Sequence, residues 1–163
     1  MILTLDIAFR NAGWAIIDND TIIDTGVIRT KKVKNKLSVS ENNINTINYI
    51  VYELDKILDK YPEISYINGE LSHGGSQSAI SANQLGMAFA IIVTYVNLKK
   101  IPSKWCSPNA VKKVVCGKLK AEKEEIIEAI TKLYPDYKFP KAKCLSEHIC
   151  DAIGAYLAIK NKG

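Results

Sequence analysis

"ILTLDIAFRNAGWAIID", residues 2–18, consists of two apolar stretches joined by a short polar turn, and the first stretch carries a carboxylate at Asp6. Residues 2–8 and 13–18 are rich in Ile, Leu and Ala with no helical period, so together they predict a β-hairpin. Asp6 is the anomaly. A lone ionised carboxylate in a buried strand costs several kcal/mol unless it is paired or bound to a cation. Which cation balances it is the question that the rest of the chain has to answer.

Outward from the hairpin, "TIIDTGVIR" (21–29) follows the Asn19-Asp20 turn and predicts a third strand, completing an antiparallel meander. Residues 30–40 are polar and basic and predict a loop. With Ser40 as N-cap, Ile44, Ile47, Val51, Leu54, Leu58 and Tyr61 recur at helical spacing until Pro62 stops the helix. "ISYING" (64–69) predicts a short buried strand ended by Glu70, and "LSHGGSQS" (71–78) is a Gly- and Ser-rich loop. A helix over 79–98 follows, with Leu85, Phe89, Ile92 and Val96 on one side and Gly86, Ala88 and Ala90 permitting close packing.

Residues 101–106 predict a fifth strand. Ser107-Pro108 opens another helix as N-cap and first-turn proline, and Gly117 closes it. Its apolar side is Val111, Val114 and Val115, which turns Lys112 and Lys113 outward. Helices over 122–134 and from about 146 to 160 complete the chain. The order β-β-β-α-β-α-β-α-α-α predicts one α/β domain over residues 1–163. Its five-stranded mixed sheet is a meander plus two parallel strands from βα crossovers, with helices on both faces.

Composition narrows the function classes. The chain has 163 residues, 47 % hydrophobic and 24 % charged, ordinary values for a globular domain. Asp6 and Arg10 interrupt the region where a signal peptide would need an apolar core, and the longest apolar run, Met87 to Val96, is short for a bilayer span. A soluble, cytoplasmic protein without a membrane partner is the expectation. Cys106, Cys116, Cys144 and Cys150 are too few for a disulfide scaffold at this length. A zinc site from Cys144, His148 and Cys150 fits poorly, because His148 and Cys150 fall on nearly opposite sides of a helix.

The net charge is +5, and seven lysines lie between Lys99 and Ala121 with no Asp or Glu among them. A second basic cluster runs through Arg29, Lys31, Lys32, Lys34 and Lys36. Local excesses of this kind suit a polyanionic partner, although a solvated lysine-rich surface looks the same.

Three acids stand out by position. Asp6 lies near the end of the first strand, Glu70 ends the fourth, and Asp151 sits on the last helix in "EHICDAIGAYLAI", three residues after His148 on the margin of the apolar face. Singly, each has an ordinary explanation as a turn cap, a solvated strand end or an exposed helix position. Jointly they differ: neighbouring first and fourth strands would place Asp6 and Glu70 side by side, and the last helix crossing the sheet would add Asp151 and His148. Clustered carboxylates repel and raise one another's pKa. A divalent cation removes that repulsion, and oxygen ligands suit Mg²⁺ or Mn²⁺.

These residues resemble the RuvC-type Holliday junction resolvases of the ribonuclease H-like superfamily, along nearly the whole chain. Asp6-Ile7-Ala8-Phe9-Arg10-Asn11-Ala12-Gly13-Trp14 resembles the family's D-P-G-S-x-x-T-G-Y opening, with Ala8 for its Gly and Ala12 for its Thr. "NGELSHGGSQSAISANQLGMAFAII" resembles its strand-end Glu, loop and small-residue helix, and "SPNAVKKVVCGKLKAEKEEI" its basic segment. "EHICDAIGAYLAI" is similar to its closing H/D-x-x-D-A-x-A helix. The aromatic residue that members often carry just after the Glu is replaced by Leu71, Ser72 and His73. The short, divergent chain suggests a phage member.

The resemblance implies a ribonuclease H-like fold and a metal-dependent endonuclease. It would resolve four-way junctions by paired symmetric nicks, leaving 5′-phosphate and 3′-hydroxyl ends. It implies catalytic Asp6, Glu70, His148 and Asp151, with Asp6, Glu70 and Asp151 coordinating two Mg²⁺ ions, for which Mn²⁺ substitutes. Nitrogen is a poor Mg²⁺ ligand, so His148 is expected to orient or deprotonate the water; as a metal ligand it would favour Mn²⁺. Lys112, Lys113, Lys118 and Lys120 would hold DNA phosphates without reading bases. The expected partners are branched DNA and a second copy of the chain, docked through the 79–98 helix.

Three rival functions differ in what they require. A nuclease of the same superfamily that debranches forks and flaps, or cuts RNA–DNA hybrids, is the nearest. An actin-like ATPase shares the strand-Asp-turn-Gly opening but needs a second such domain and a phosphate-binding glycine where Ala8 stands. A DNA-binding module without catalysis accounts for the lysines and not for the acids.

Overall fold

The computed structural model describes residues 1–31, 37–71 and 78–161. Its elements run β1 (Ile2–Asp6), β2 (Asn11–Asp18), β3 (Thr21–Arg29), α1 (Val39–Lys60), β4 (Tyr66–Glu70), α2 (Ala79–Leu98), β5 (Ser103–Cys106), α3 (Pro108–Cys116), α4 (Lys123–Leu133) and α5 (Lys143–Lys160). The sheet order is β3-β2-β1-β4-β5, with β1–β2 and β2–β3 antiparallel and β1–β4 and β4–β5 parallel. The mixed sheet with helices on both faces is therefore as expected.

Each face of β1 enters a different core. Leu3 and Leu5, fully buried, join Ile16 and Ile28 against α1 and α2 through Ile50, Leu54, Ile92 and Val96. On the opposite face Ala15, Ile17 and Ile22 pack against α4 and α5 through Ile126, Ile130, Ile149 and Ile153. A strand covered on both sides is what makes an unbalanced Asp6 costly.

Helix α5 is the keystone of that second face. The buried Thr4 hydroxyl donates to the Ala152 carbonyl at 2.5 Å, binding the middle of β1 to the middle of the helix. Gly13 on β2 lets the helix approach closely: a Cβ there would lie 2.0 Å from the His148 carbonyl oxygen. Behind α5, a Cβ at Gly154 would lie 2.5 Å from the Val111 side chain of α3. The helix buries more than the apolar face of Ile149, Ala152, Ile153, Tyr156 and Leu157 that its spacing predicts, since Cys150, Ala155, Ala158 and Ile159 are buried as well.

Several further expectations are corrected in detail. The α1 N-cap is Ser38 and not Ser40, in a capping box with Glu41. Helix α5 begins at Lys143 and not near 146; Ala142 offers no side-chain cap, so no cap residue marked the start. Val114 is exposed. Helix α2 buries Ala88, Ile92, Tyr95 and Val96, and leaves Ile80, Phe89 and Leu98 exposed. By length and composition it is the one helix among the described residues that could cross a membrane. The 71–78 loop and the second basic cluster fall largely outside the described residues.

At the end of the sheet away from Asp6, cations and tyrosines serve the carboxylates. Asp24 of β3 accepts from Lys60 Nζ at 2.8 Å and the Tyr61 hydroxyl at 2.5 Å. Asp20, in the β2–β3 turn, accepts from Tyr156 at 2.7 Å and from Lys160. Asp55 of α1 is bound by Lys99 and by the Tyr95 hydroxyl. Lys160 and Lys99 hold Asp20 and Asp55 below the usual carboxylate range, and at Asp24 the Lys60 and Tyr61 bonds outweigh the opposing effect of burial. Each cluster ties a helix C-terminus to a neighbouring element.

Gly13→Ala should lower stability by about 3 kcal/mol, because the clash is with backbone and α5 must move as a body. Urea denaturation measures this, and a loss below about 1 kcal/mol would contradict the close approach.

Candidate metal-dependent active site

Asp6 and Glu70 are register partners at the C-terminal ends of the parallel strands β1 and β4. The pairing of β4 with β5 continues beyond Glu70 through a bond from Leu71 N to Cys106 O at 2.8 Å, which fixes the strand end. Gly69, just before the acid, packs under Trp105, and a Cβ there would lie 2.2 Å from its ring. Glu70 is thus held on a rigid sheet edge rather than a loop.

His148 and Asp151, one turn apart on α5, come down over the same edge. His148 Nδ1 lies 2.9 Å from Asp6 Oδ2, with side-chain exposures of 22 % and 14 %, enclosed yet open to water. An ionised carboxylate can only accept, so Nδ1 is the donor of this pair, and in the neutral form of the ring Nε2 is then the acceptor. Among the described residues neither Glu70 nor Asp151 accepts a hydrogen bond. Burial, then Asp6 and then Asp151 push Glu70 up to about 8. Burial and then Asp6 push Asp151 up to about 7. The effect runs opposite to that at Asp20, Asp24 and Asp55.

The donor set of three carboxylates and an imidazole fits a hard divalent cation, whose charge would relieve the repulsion. The spacing is wider than a finished coordination sphere: among the described residues no three His, Cys, Asp or Glu side chains stand close enough to hold one ion. Ligation of one ion by all three carboxylates would require them to draw closer together. The Cys144, His148 and Cys150 grouping is no better placed, since Cys144 is exposed and Cys150 is fully buried, its thiol pushed up to about 12 by burial and then by Asp151.

The lysines divide. Lys112, half-buried on α3, sits near enough to favour the ionised forms of Glu70 and Asp151. Lys113 and Lys120 are exposed. Lys118 is engaged with Glu125 at 2.5 Å, an exposed pair of little energetic weight that leaves the lysine exchangeable. Sequence reasoning missed Lys123, which acts on Glu70 and Asp151 as Lys112 does and is ion-paired with Glu147. Set in the acidic run "AEKEE", it gave no basic signal; its place at the first turn of α4, facing α5, gives it its role.

Residues 2–159 match the family model of the crossover junction endodeoxyribonuclease RuvC. Curated relatives named crossover junction endodeoxyribonuclease RuvC include those of Rickettsia felis, 28 % identical over 141 residues covering 83 % of each chain, and of a Wolbachia strain, 26 % identical over 158 residues covering 93 % of this chain and 88 % of the relative. Among solved structures, Thermus thermophilus RuvC in complex with a Holliday junction substrate superimposes with a TM-score of 0.73 at 15 % identity, over 96 % of this chain and 90 % of that one. The yeast mitochondrial Holliday junction resolvase Ydc2 superimposes with a TM-score of 0.57 at 15 % identity, over 96 % and 79 %. At such identities these two likenesses concern the fold.

The raised carboxylates make the metal-free protein sensitive to pH. In the unfolded chain Glu70 and Asp151 ionise near 4.5 and 3.8, whereas folded they keep their protons to about 8 and about 7. Between those limits the folded state binds more protons, so stability falls as pH rises from about 4 to about 8. In EDTA the melting temperature should drop by about 10 °C or more between pH 5 and 8, and Glu70→Gln or Asp151→Asn should flatten the decline. A melting temperature that is level across that range in the unsubstituted protein would contradict the electrostatics.

Proposed function

The chain belongs to the RuvC family of crossover junction endodeoxyribonucleases, and we propose that Asp6, Glu70 and Asp151 are the carboxylates with which it cuts DNA. It is a Holliday junction-resolving endonuclease, its substrate is branched DNA, and nucleases of this family depend on metal. One observation carries the residue assignment. Acids at the far end of the sheet are given cations, whereas Glu70 and Asp151 are left beside Asp6 with only partial relief from Lys112 and Lys123.

Asp6, Glu70 and Asp151 would hold two Mg²⁺ ions, with Mn²⁺ able to replace them. Bound there, the ions supply a water activated for in-line attack on phosphorus and neutralise the departing 3′ oxygen. The protein contributes the rest. Asp6 fixes the imidazole through Nδ1, so His148 Nε2 is the atom that takes a proton from the attacking water. Strands β1 and β4 keep two of the carboxylates on rigid backbone, which preserves the geometry through the reaction. Lys112 and Lys113 steady the phosphates next to the cleaved bond, with Lys118 and Lys120 further along. The products are a 5′-phosphate and a 3′-hydroxyl, and work of this kind places the protein on DNA.

A two-fold dimer would present two such sites to the two like strands of a junction. The exposed Phe89, with exposed Gly86 and Ala90 beside it on the outer side of α2, supports that helix as the docking face.

Asp6→Asn, Glu70→Gln and Asp151→Asn should each reduce cleavage of a labelled four-way junction at least about 10³-fold while binding persists. Full activity in all three would refute the assignment. Lys112→Ala combined with Lys113→Ala should weaken binding regardless of sequence and reduce the salt slope by about 2. Presented with four-way, three-way, flap, linear and RNA–DNA hybrid substrates, the protein should make paired symmetric nicks in the four-way form. Equal cutting of every branched form would favour the general debrancher.

A further inference from the structure

The chain contains 20 lysines and only two arginines, Arg10 and Arg29. They are far apart in sequence and adjacent in the fold. Asn11, next to Arg10, is the register partner of Arg29, and Thr30 N donates to the Arg10 carbonyl at 2.9 Å. The Thr30 hydroxyl also donates to the Phe9 carbonyl at 2.9 Å, so the 7–10 turn is fastened to the end of β3 at two points. That turn begins directly after Asp6. Both arginines therefore stand on the same rim as the acidic cluster, on the β2–β3 side, whereas Lys112 and Lys123 approach from α3 and α4.

Their pairing is equally distinctive. Among the described residues eight lysines reach a carboxylate, and neither arginine does. The Arg10 guanidinium lies over the Phe9 ring, 5.1 Å from its centroid, and its Nη1 is buried with no hydrogen-bond partner. A buried N–H donor left unmade is destabilising, and a guanidinium cannot relieve the cost by losing its proton. The group is held by an aromatic face and a turn bound at two points, and among the described residues its Nη1 lacks an acceptor. Planar, bidentate recognition of phosphate is what arginine does better than lysine.

We propose that Arg10, with Arg29 beside it, grips a backbone phosphate of the DNA substrate on the β3 side of the acidic cluster, opposite the lysines of α3. The inference rests on the endonuclease reading and adds a second, pre-positioned anchor to it. Strands in a sheet lie about 4.8 Å apart, so β3 is about 10 Å from β1. That offset is about three nucleotides along one strand at 3.4 Å each. The scissile phosphate would then be bracketed, with lysines on one side and arginines on the other, rather than pinned from one side alone.

The test is binding of a fluorescent four-way junction by the full-length protein in EDTA across a salt series, together with thermal melting of each variant. Arg10→Gln should weaken binding about tenfold and lower the slope of log K against log salt by about 1; adding Arg29→Gln should lower it by about 2 in total. Arg10→Lys, which keeps the charge and loses the fork, should recover the slope and only part of the affinity. The melting temperature of Arg10→Gln should be unchanged or higher, because a charged group with a buried, unpaired nitrogen has been replaced by a neutral one. A slope unchanged in the double variant, or a drop in binding that only tracks a lower melting temperature, overturns the proposal. A slope change confined to Arg29→Gln overturns the role given to Arg10. Failure of the unsubstituted protein to bind the junction at all would instead strike the endonuclease reading, which separates the two.

Discussion

Everything at the acidic cluster depends on how closely α5 lies against β1 and β2. Gly13 removes the side chain that would hold the helix off, and Thr4 bonds to the Ala152 carbonyl within the contact. These two contacts fix the helix along its axis and about it, and so decide that His148 meets Asp6 and that Asp151 faces the strand ends. Packing on the reverse side adds to the constraint: Gly154 receives Val111 of α3, which carries Lys112 toward the same acids. The residues of the cluster come from four elements, and one interface aligns them.

The second organising fact is an electrostatic asymmetry along the sheet. At one end Asp20, Asp24 and Asp55 are each matched with a lysine and a tyrosine, an arrangement that secures helix ends. At the other, Glu70 and Asp151 are left beside Asp6, so the folded protein without metal holds protons that such groups normally release. Carboxylates are matched with cations where the chain turns back and are left in mutual repulsion at the opposite edge. A cation bound there would convert that strain into affinity, because it would remove a repulsion that folding alone has left in place.

Much of this was legible in the sequence, and the exceptions are physical. The hairpin, the crossovers and the three acids were visible because periodicity and strand ends are local properties. Ser107-Pro108 and Gly117 announced α3 for the same reason. The start of α5 was not legible, because Ala142 supplies no cap side chain; the start of α1 was legible in the Ser38-to-Glu41 capping-box spacing, which Ser40 lacks, and was placed two residues late. The exposure of Phe89 could not be read from α2, whose apolar residues run nearly all round the helix. Lys123 and Arg10 were hidden for a different reason: their significance lies in what α5 and β3 bring near them, and no neighbour in the sequence signals it.

The central claim is that three carboxylates on separate elements share divalent cations. Anomalous diffraction at the manganese edge from crystals grown with Mn²⁺ tests it most directly. The account predicts density bounded by Asp6, Glu70 and Asp151, with the carboxylates turned inward to about 2.0–2.2 Å from the metal. Manganese bound elsewhere, or none at the acids under saturating Mn²⁺, would contradict it.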